Sequence, residues 1–181
     1  MAAIVAGDIL WKYSVSAAAG NTTASAASTS LGDQISTSAW AGGSLNDLFD
    51  DISGAENAAS TVDYRCVFIH NSNASNAYEN PTVYLSAETA GGASITIAID
   101  NIAASAIGSG SAQAAVIGTE TTAPSGVGTF SAPTTSGTGL ALTTVPTGNC
   151  RAVWVKRTAA NTSALSADGV TLAVTGDTGS L

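Results

Sequence analysis

The sequence predicts an all-β protein, an antiparallel β-sandwich of jelly-roll-like type with an extended amino-terminal arm or long loop. Short segments rich in Val, Ile and Thr alternate with turn residues and give about eight to ten candidate strands, a pattern typical of sandwiches and jelly rolls. Helical periodicity is almost absent. No repeat with a period of about 20–50 residues is visible, which argues against a solenoid or a propeller.

The length and composition indicate one domain that gains stability from assembly. The 181 residues suffice for a single β-sandwich domain, which we assign to 1–181. Hydrophobic residues make up 45% of the chain, but about 35 of them are alanines, each of which buries little area. The large side chains available for a core include only three Phe, three Trp and one Met. Burial between subunits would strengthen such a core, so the composition favours an assembled protein.

The amino-terminal third contains one clear strand and a long connection. Residues 8–15 alternate in the manner of a strand. The stretch 16–44 is small, polar and aperiodic, and we interpret it as a surface arm or long loop with one short strand around 31–35. A loop of this length is uncommon unless it has a function, and wrapping around a neighbouring subunit is one such function.

The remaining elements are a short helical turn and a series of strands. Residues 46–59 predict a helical turn that is capped by Asn46 or Asp47 and ends at Gly54. We expect Pro81 at the first position of its strand, where a missing N–H is tolerated. The candidate strands after the turn are 62–70, 81–87, 93–100, 114–117, 129–132, 139–145, 150–158 and 170–175.

The two most emphatic strands are 62–70 and 150–158, which we expect to pack close together. Each carries one of the two cysteines, Cys66 and Cys150. A disulfide between them is one interpretation, and two small core residues is the other. We favour core residues, because the amino terminus lacks the basic region and long apolar core of a secretory signal, and cytosolic thiols stay reduced.

The charge balance argues against several partner classes. The formal net charge is −8, with five Lys and Arg against 13 Asp and Glu. Five cations cannot form the basic surface that binds a phosphate backbone, so we expect no nucleic-acid partner. The same balance disfavours anionic membranes, and no stretch of about 18 apolar residues suggests a spanning segment. Disorder is disfavoured because β-branched residues are frequent and charge is only 10%.

Four of the five cations lie in the two emphatic strands. Ordinary ion pairs are one interpretation of this clustering, and an inter-subunit seam is the sharper one, because Arg suits buried bidentate pairing. Our candidate interface residues are Arg65, Arg151, Lys156, Arg157, Trp11 and Trp40.

No motif indicates catalysis, a cofactor or a metal. His70 is the one histidine; it ends a strand without a flanking nucleophile motif, so we interpret it as a surface or interface side chain. The acids Asp47, Asp50, Asp51 and Glu56 lack the spacing of a calcium loop, and we interpret them as a capped, solvated turn. A glycosidase carboxylate pair stays open, since it needs only two acids at the right separation. We expect a protein that is not an enzyme.

Separated segments carry a resemblance to a known family. The run 47–73, DLFDDISGAENAASTVDYRCVFIHNSN, resembles a segment of tailed-bacteriophage virion proteins in which a DLFDD-type turn leads into a strand with an E/D-YRC-aromatic pattern. The run 121–161 resembles the second half of that family, where a TAP-G-FS-P stretch precedes a G-RAVWVRR strand. The run 167–178 resembles its closing strand, so the likeness covers roughly 44–178.

The resemblance implies a structural virion component and transfers no catalytic residue. Within that class it favours a capsid decoration, or cement, protein, which is typically small, β-rich, poor in charge and trimeric. The implied partners are the major capsid protein and further copies of this chain in a homotrimer. The implied location is the virion, after synthesis in the host cytoplasm. A tail or baseplate component is the alternative, then a host-surface adhesin, and a glycan hydrolase has the least support.

Overall fold

The computed structural model describes residues 3–16 and 22–179 and confirms the all-β prediction, with 40% strand and 9% helix. Two antiparallel sheets, one of them strongly curled, form a sandwich-like body. Within the described ranges no helix is long and apolar enough to cross a bilayer. The elements are β1 (Ile9–Val15), β2 (Gln34–Ala39), α1 (Gly54–Ala59), β3 (Val62–Asn71), β4 (Tyr78–Glu88), β5 (Ser94–Ile99), β6 (Ser105–Ala106), β7 (Leu140–Ala141), β8 (Asn149–Thr158) and β9 (Val170–Thr178).

The larger sheet has the strand order β2-β1-β3-β8-β5, and β6 also pairs with β8. β3 and β8 run antiparallel from the pair Val62 and Thr158 to the pair His70 and Cys150, which confirms the expected neighbourhood of 62–70 and 150–158. Both strands are buried over most of their length. Strands covered on both faces read as near-continuous apolar runs, which explains why these two were the most emphatic in the sequence.

The smaller sheet, β7-β4-β9, packs against one face of the larger sheet. Val83 and Leu85 of β4 meet Val67, Ile97 and Val155 of the larger sheet in the main core, and all five are at most 2% exposed. The alternation expected over 93–100 places Ile95 and Ile97 in this core. The sandwich therefore has its principal apolar layer between the two sheets.

β4 begins earlier than the sequence indicated and contains Pro81 in its interior. Asn80 has φ 49°, and the pairing with β9 shifts register between Glu79 and Thr82. A bulge leaves a backbone position outside the ladder, so a proline without an N–H is tolerated there. The expected start at Pro81 is therefore wrong by three residues.

A second apolar layer covers the other face of the larger sheet. Phe68, Cys66 and Trp154 are fully buried here against loop residues that include Ala114 and Ile117. The carboxylate of Asp100 fastens this loop, because its Oδ2 accepts hydrogen bonds from the Trp154 indole at 2.9 Å and from the Ala115 amide at 2.8 Å. Irregular backbone thus fills the place of a third layer.

Some predicted strands in the weaker region of the sequence are wrong. The stretches 114–117 and 129–132 make only isolated bridges. The predicted strand 139–145 shortens to the two residues of β7. Ala114 and Ile117 cover the larger sheet, so burial rather than strand pairing explains the apolar composition of 114–117.

One side of the sandwich is closed by hydrogen bonds to the stretch 131–133, which we call the closed seam. The amide of Ile97 in β5 donates to the carbonyl of Ser131 at 2.8 Å, and the amide of Leu85 in β4 donates to the carbonyl of Pro133 at 2.8 Å. Because β5 and β4 belong to different sheets, this stretch bridges the two sheets.

The described part of the predicted arm, 22–44, lies on the domain itself; 17–21 are outside the described residues. Its strand is β2, later than the expected 31–35, and it pairs with β1. Ile35 is fully buried, and its amide donates to the Gln113 side chain at 3.0 Å. This part of the chain is therefore docked and not extended towards a neighbour.

α1 starts at Gly54, where we expected the helical turn to end. Ser53 is the N-cap: its hydroxyl accepts from the Glu56 amide at 3.2 Å, and the Glu56 carboxylate accepts from the Ser53 amide at 2.7 Å. This reciprocal pattern is a capping box, which is visible in the sequence as Ser-x-x-Glu. The acids before it lie in an irregular loop.

Candidate functional site

Two buried arginines flank one aromatic ring at one end of the β3–β8 pair. The guanidinium carbon lies 4.8 Å from the Phe49 ring centroid for Arg157 and 5.6 Å for Arg65. β3 supplies Arg65, β8 supplies Arg157, and the acidic loop before α1 supplies Phe49. We call these three residues with Asp63 the arginine–Phe49 cluster.

Carboxylates and carbonyls of the same chain satisfy both arginines. The Arg157 guanidinium donates two hydrogen bonds to Asp63 Oδ2, at 2.7 and 3.1 Å. It also donates to the Asp50 carboxylate at 3.1 Å and to the Asp50 backbone carbonyl. Arg65 donates to the Leu48 carbonyl at 3.2 Å and forms an ion pair with Glu120. The cluster therefore fastens the loop 48–50 onto two central strands.

These contacts correct the interface interpretation for two residues. Arg65 is 2% and Arg157 7% exposed, so neither presents its guanidinium at the surface. Removing one partner from a buried ion pair leaves a charge without solvation and is strongly destabilising. The arginine–Phe49 cluster is consequently part of the framework within the subunit.

Arg151 and Lys156 are partly exposed, and their interface role stays a prediction. Arg151 donates to the backbone carbonyl of Asp100 at 3.0 Å, while its Nε is buried without a hydrogen-bond partner. Burial lowers the pKa of this guanidinium. Lys156 forms none of the ion pairs found among the described residues, so its ammonium group is available to a partner.

Trp11 and Trp40, the aromatic members of the interface prediction, contact each other. Their rings meet edge to face, with centroids 5.7 Å apart and planes at 89°. Both are partly buried at the margin of the main core. The Trp40 indole N–H is enclosed without an acceptor. Both rings are only partly buried, so both residues stay interface candidates.

Two open grooves lie on the described surface. The first, of about 720 Å³, lies between the stretch 25–28 and the acidic loop, and includes Tyr13, Arg65 and Glu120 in its wall. The second, of about 530 Å³, lies between β1 and β9, and we call it the β9 groove. Its lining comprises Ile4, Val5, Ala6, Ile9, Trp11, Tyr78 and 173–178.

His70 is buried, which corrects its interpretation as a surface side chain. It is 6% exposed, because β1 and β8 flank the carboxyl-terminal end of β3 on both sides. Neither ring nitrogen has a hydrogen-bond partner. Burial, assisted by the positive charge of Lys12, lowers the pKa of the imidazole. A neutral imidazole without an orienting partner is not placed as a catalytic base.

The two cysteines are free and buried, as the preferred interpretation predicted. Cys66 stands opposite Trp154 and Cys150 opposite His70, so they lie several residues apart along the paired strands. Both side chains belong to the second apolar layer. Burial raises the pKa of Cys150 to about 12 and also raises the pKa of Cys66, so both thiols are protonated at neutral pH.

The acidic run separates into unrelated roles. Glu56 caps α1, Asp50 pairs with Arg157, and Asp51 is exposed. In the part of the chain that the structure describes, no group of three or more His, Cys, Asp or Glu side chains is placed to hold a metal ion. The run therefore does not converge into one cluster of oxygen ligands.

Sequence reasoning missed Phe49, Asp63 and Glu120 as members of the arginine network. Asp63 lies directly opposite Arg157 in the β3–β8 register, so a correct pairing of the two strands would have found it. Phe49 is the aromatic residue inside an acidic run, which is a weak signal for cation–π contact. Glu120 comes from a loop, and no periodicity points to it.

Together the fold and the grooves define an all-β, sandwich-like protein in which several charged residues, among them Arg65 and Arg157, fasten its own loops. Comparison with protein-family models, curated proteins and solved structures gives no match to this chain.

Proposed function

We propose that this chain is a structural virion protein that decorates a tailed-phage capsid and stabilises it by bridging neighbouring capsomers. Its partners in this role are the major capsid protein and two further copies of itself. The proposal starts from the resemblance of 47–73 and 121–161 to phage virion proteins.

The observation that carries the proposal is the convergence of these two segments in one folded unit. β3 comes from the first and β8 from the second, and they pair along nearly their full length. The loop of the first segment is held by Arg157 of the second. The two segments that resemble one family at distant places in the sequence thus lie side by side in one framework, and this supports the proposal.

The physical properties of the chain suit a cement role. A subunit that binds only the mature lattice stabilises that lattice by mass action. A β-framework fastened by buried ion pairs changes shape little on binding, which limits the entropy lost on association. Few of its cations are available at the surface, so binding would depend on shape, apolar contact and neutral polar groups.

Binding to purified shells tests the proposal. Shells that lack the chain are prepared in expanded form and as unexpanded proheads, and each is mixed with the purified protein and sedimented. We expect saturable binding to expanded shells only, at hundreds of copies per particle, with a higher temperature of shell disruption. Sedimentation equilibrium of the free protein checks the trimer.

Other outcomes distinguish the alternatives. Recovery of the chain on tails in low multiples of three or six would support a tail or baseplate component. Binding to host cells but to neither kind of particle would support an adhesin. Densitometry of intact virions supplies the copy number that separates a cement protein from both.

A further inference from the structure

The two sides of the sandwich differ in how they are closed. The closed seam carries hydrogen bonds from 131–133 to both sheets. On the other side, β9 pairs with β4 along one edge, and none of the described strands pairs with its second edge. β9 is nine residues long, so a substantial row of backbone donors and acceptors stays open there.

The apolar contacts show the same asymmetry. Val83 and Leu85 of β4 are 0% and 2% exposed, whereas their register partners Val174 and Leu172 of β9 are only half-buried. The β9 groove continues this uncovered apolar surface towards Trp11 and Val5, and Val5 is 62% exposed. An additional strand along β9 would cover these side chains, as 131–133 covers the opposite side.

The charge around the groove is negative. Asp177 lines it, Glu79 stands opposite Asp177 in the β4–β9 register, and Asp8 follows the lining residues 4–6. No cationic side chain belongs to the lining. A segment that adds to β9 therefore gains from lysine or arginine side chains on its solvent-facing positions.

We infer that the β9 groove binds an extended, cationic segment of another polypeptide, which adds to β9 as an edge strand with its alternate apolar side chains in the groove. Main-chain hydrogen bonds supply affinity, and side-chain alternation supplies register. A second copy of this chain is the wrong partner, because it carries a net charge of −8 and buries Arg65 and Arg157 in its own framework. The inference stands on this geometry and not on the proposed virion role.

Hydrogen exchange followed by NMR tests strand addition directly. The probe is a blocked octapeptide of alternating lysine and valine, added to the full chain at low salt. We expect the peptide to slow exchange at every second amide of β9 by about tenfold or more. The Trp11 indole resonance should shift in the same titration, because Trp11 lines the groove.

Matched peptides and variants distinguish strand addition from adsorption. Proline in place of alternate valines should abolish protection, and glutamate in place of lysine should abolish binding. Asp177→Asn should weaken binding about two- to fivefold, whereas Asp51→Asn, an exposed acid outside the groove, should not.

Several results would overturn the inference. They are no binding of the lysine–valine peptide, equal protection by the proline peptide, equal binding of the glutamate peptide, and equal losses in the two Asp variants. In a further control without peptide, the protein concentration is raised. If hydrogen exchange in β9 then slows and sedimentation detects a dimer, the groove binds a second copy of this chain, and the inference is overturned.

Discussion

Asp63 and Arg157 face each other across the β3–β8 pair, with Arg157 Nη2 2.7 Å from Asp63 Oδ2, and both are nearly excluded from solvent. The pair lies where the acidic loop meets the larger sheet. It compensates a buried charge and at the same time sets the position of Asp50 and Phe49.

Asp63→Ala should destabilise the protein by about 3 kcal/mol, because it leaves Arg157 buried with only the more exposed Asp50 as its acid. Urea unfolding followed by tryptophan fluorescence measures the change. The exposed Asp51→Asn serves as control and should stay within about 0.5 kcal/mol of the wild type. Equal stabilities for Asp63→Ala and wild type would show that the pair does not hold the loop.

Phe49→Leu should cost about 1–2 kcal/mol, since leucine keeps apolar contact but lacks the ring face that both guanidinium groups approach. Phe49→Tyr keeps that face and is the matched control. Comparable midpoints of urea unfolding for the leucine and tyrosine variants would contradict a cation–π contribution.

Gly32→Ala should prevent stable folding or cost more than about 3 kcal/mol. Gly32 has φ +99°, and a Cβ there would lie 1.8 Å from the Ala115 carbonyl oxygen, where the loop backbone crosses closely. Gly43 has φ +85° with open space around it, so Gly43→Ala measures backbone strain alone, about 1 kcal/mol. The two variants should therefore differ clearly in thermal midpoint, and similar midpoints would refute the close packing.

The buried His70 should make stability fall as the pH falls below about 6.5, the ordinary pKa of histidine. The unfolded chain binds a proton near that value, whereas the folded pKa is lowered by burial and by Lys12, so protons favour unfolding. The stability that the neutral His70 contributes is fully present above the pKa of the unfolded chain. It is lost as the pH falls from that value towards the lower pKa of the folded protein. His70→Leu should flatten the profile just below about pH 6.5, and an unchanged slope in this variant would assign the effect to other groups.

Cys66 and Cys150 should resist a thiol reagent such as dithionitrobenzoate at pH 8 in the native protein. Both thiols are buried and have raised pKa values, so the reactive thiolate is scarce. In denaturant both should react at once. Stoichiometric labelling of the folded chain within minutes would contradict the burial of these side chains.

The sequence predicted the elements whose burial is continuous. β3 and β8 combine apolar runs with β-branched residues, and β5 alternates cleanly, so all three were located within two residues. The covering segment 114–117 was mistaken for a strand because Ala114 and Ile117 are apolar through burial against the larger sheet and not through strand pairing. Local composition alone does not distinguish these two cases.

The candidate site was harder to predict, because its chemistry depends on register. The clustering of Arg65 and Arg157 was visible, but their carboxylate partners come from the opposite strand and from a distant loop. The burial of His70 likewise follows from the two strands beside it. Spacing along the chain carries no signal for any of these contacts, since each joins residues far apart in sequence.

The central position of β3 has a consequence for how the chain is made. Its partner β8 begins nearly 80 residues after β3 ends, so translation at 5–20 residues per second leaves β3 without that neighbour for roughly 4–16 s. During this interval an apolar strand with an open edge is exposed to aggregation, and pairing at such separation folds slowly. The yield of folded protein in a cell should therefore depend more on chaperone capacity during synthesis than on the equilibrium stability of the finished protein.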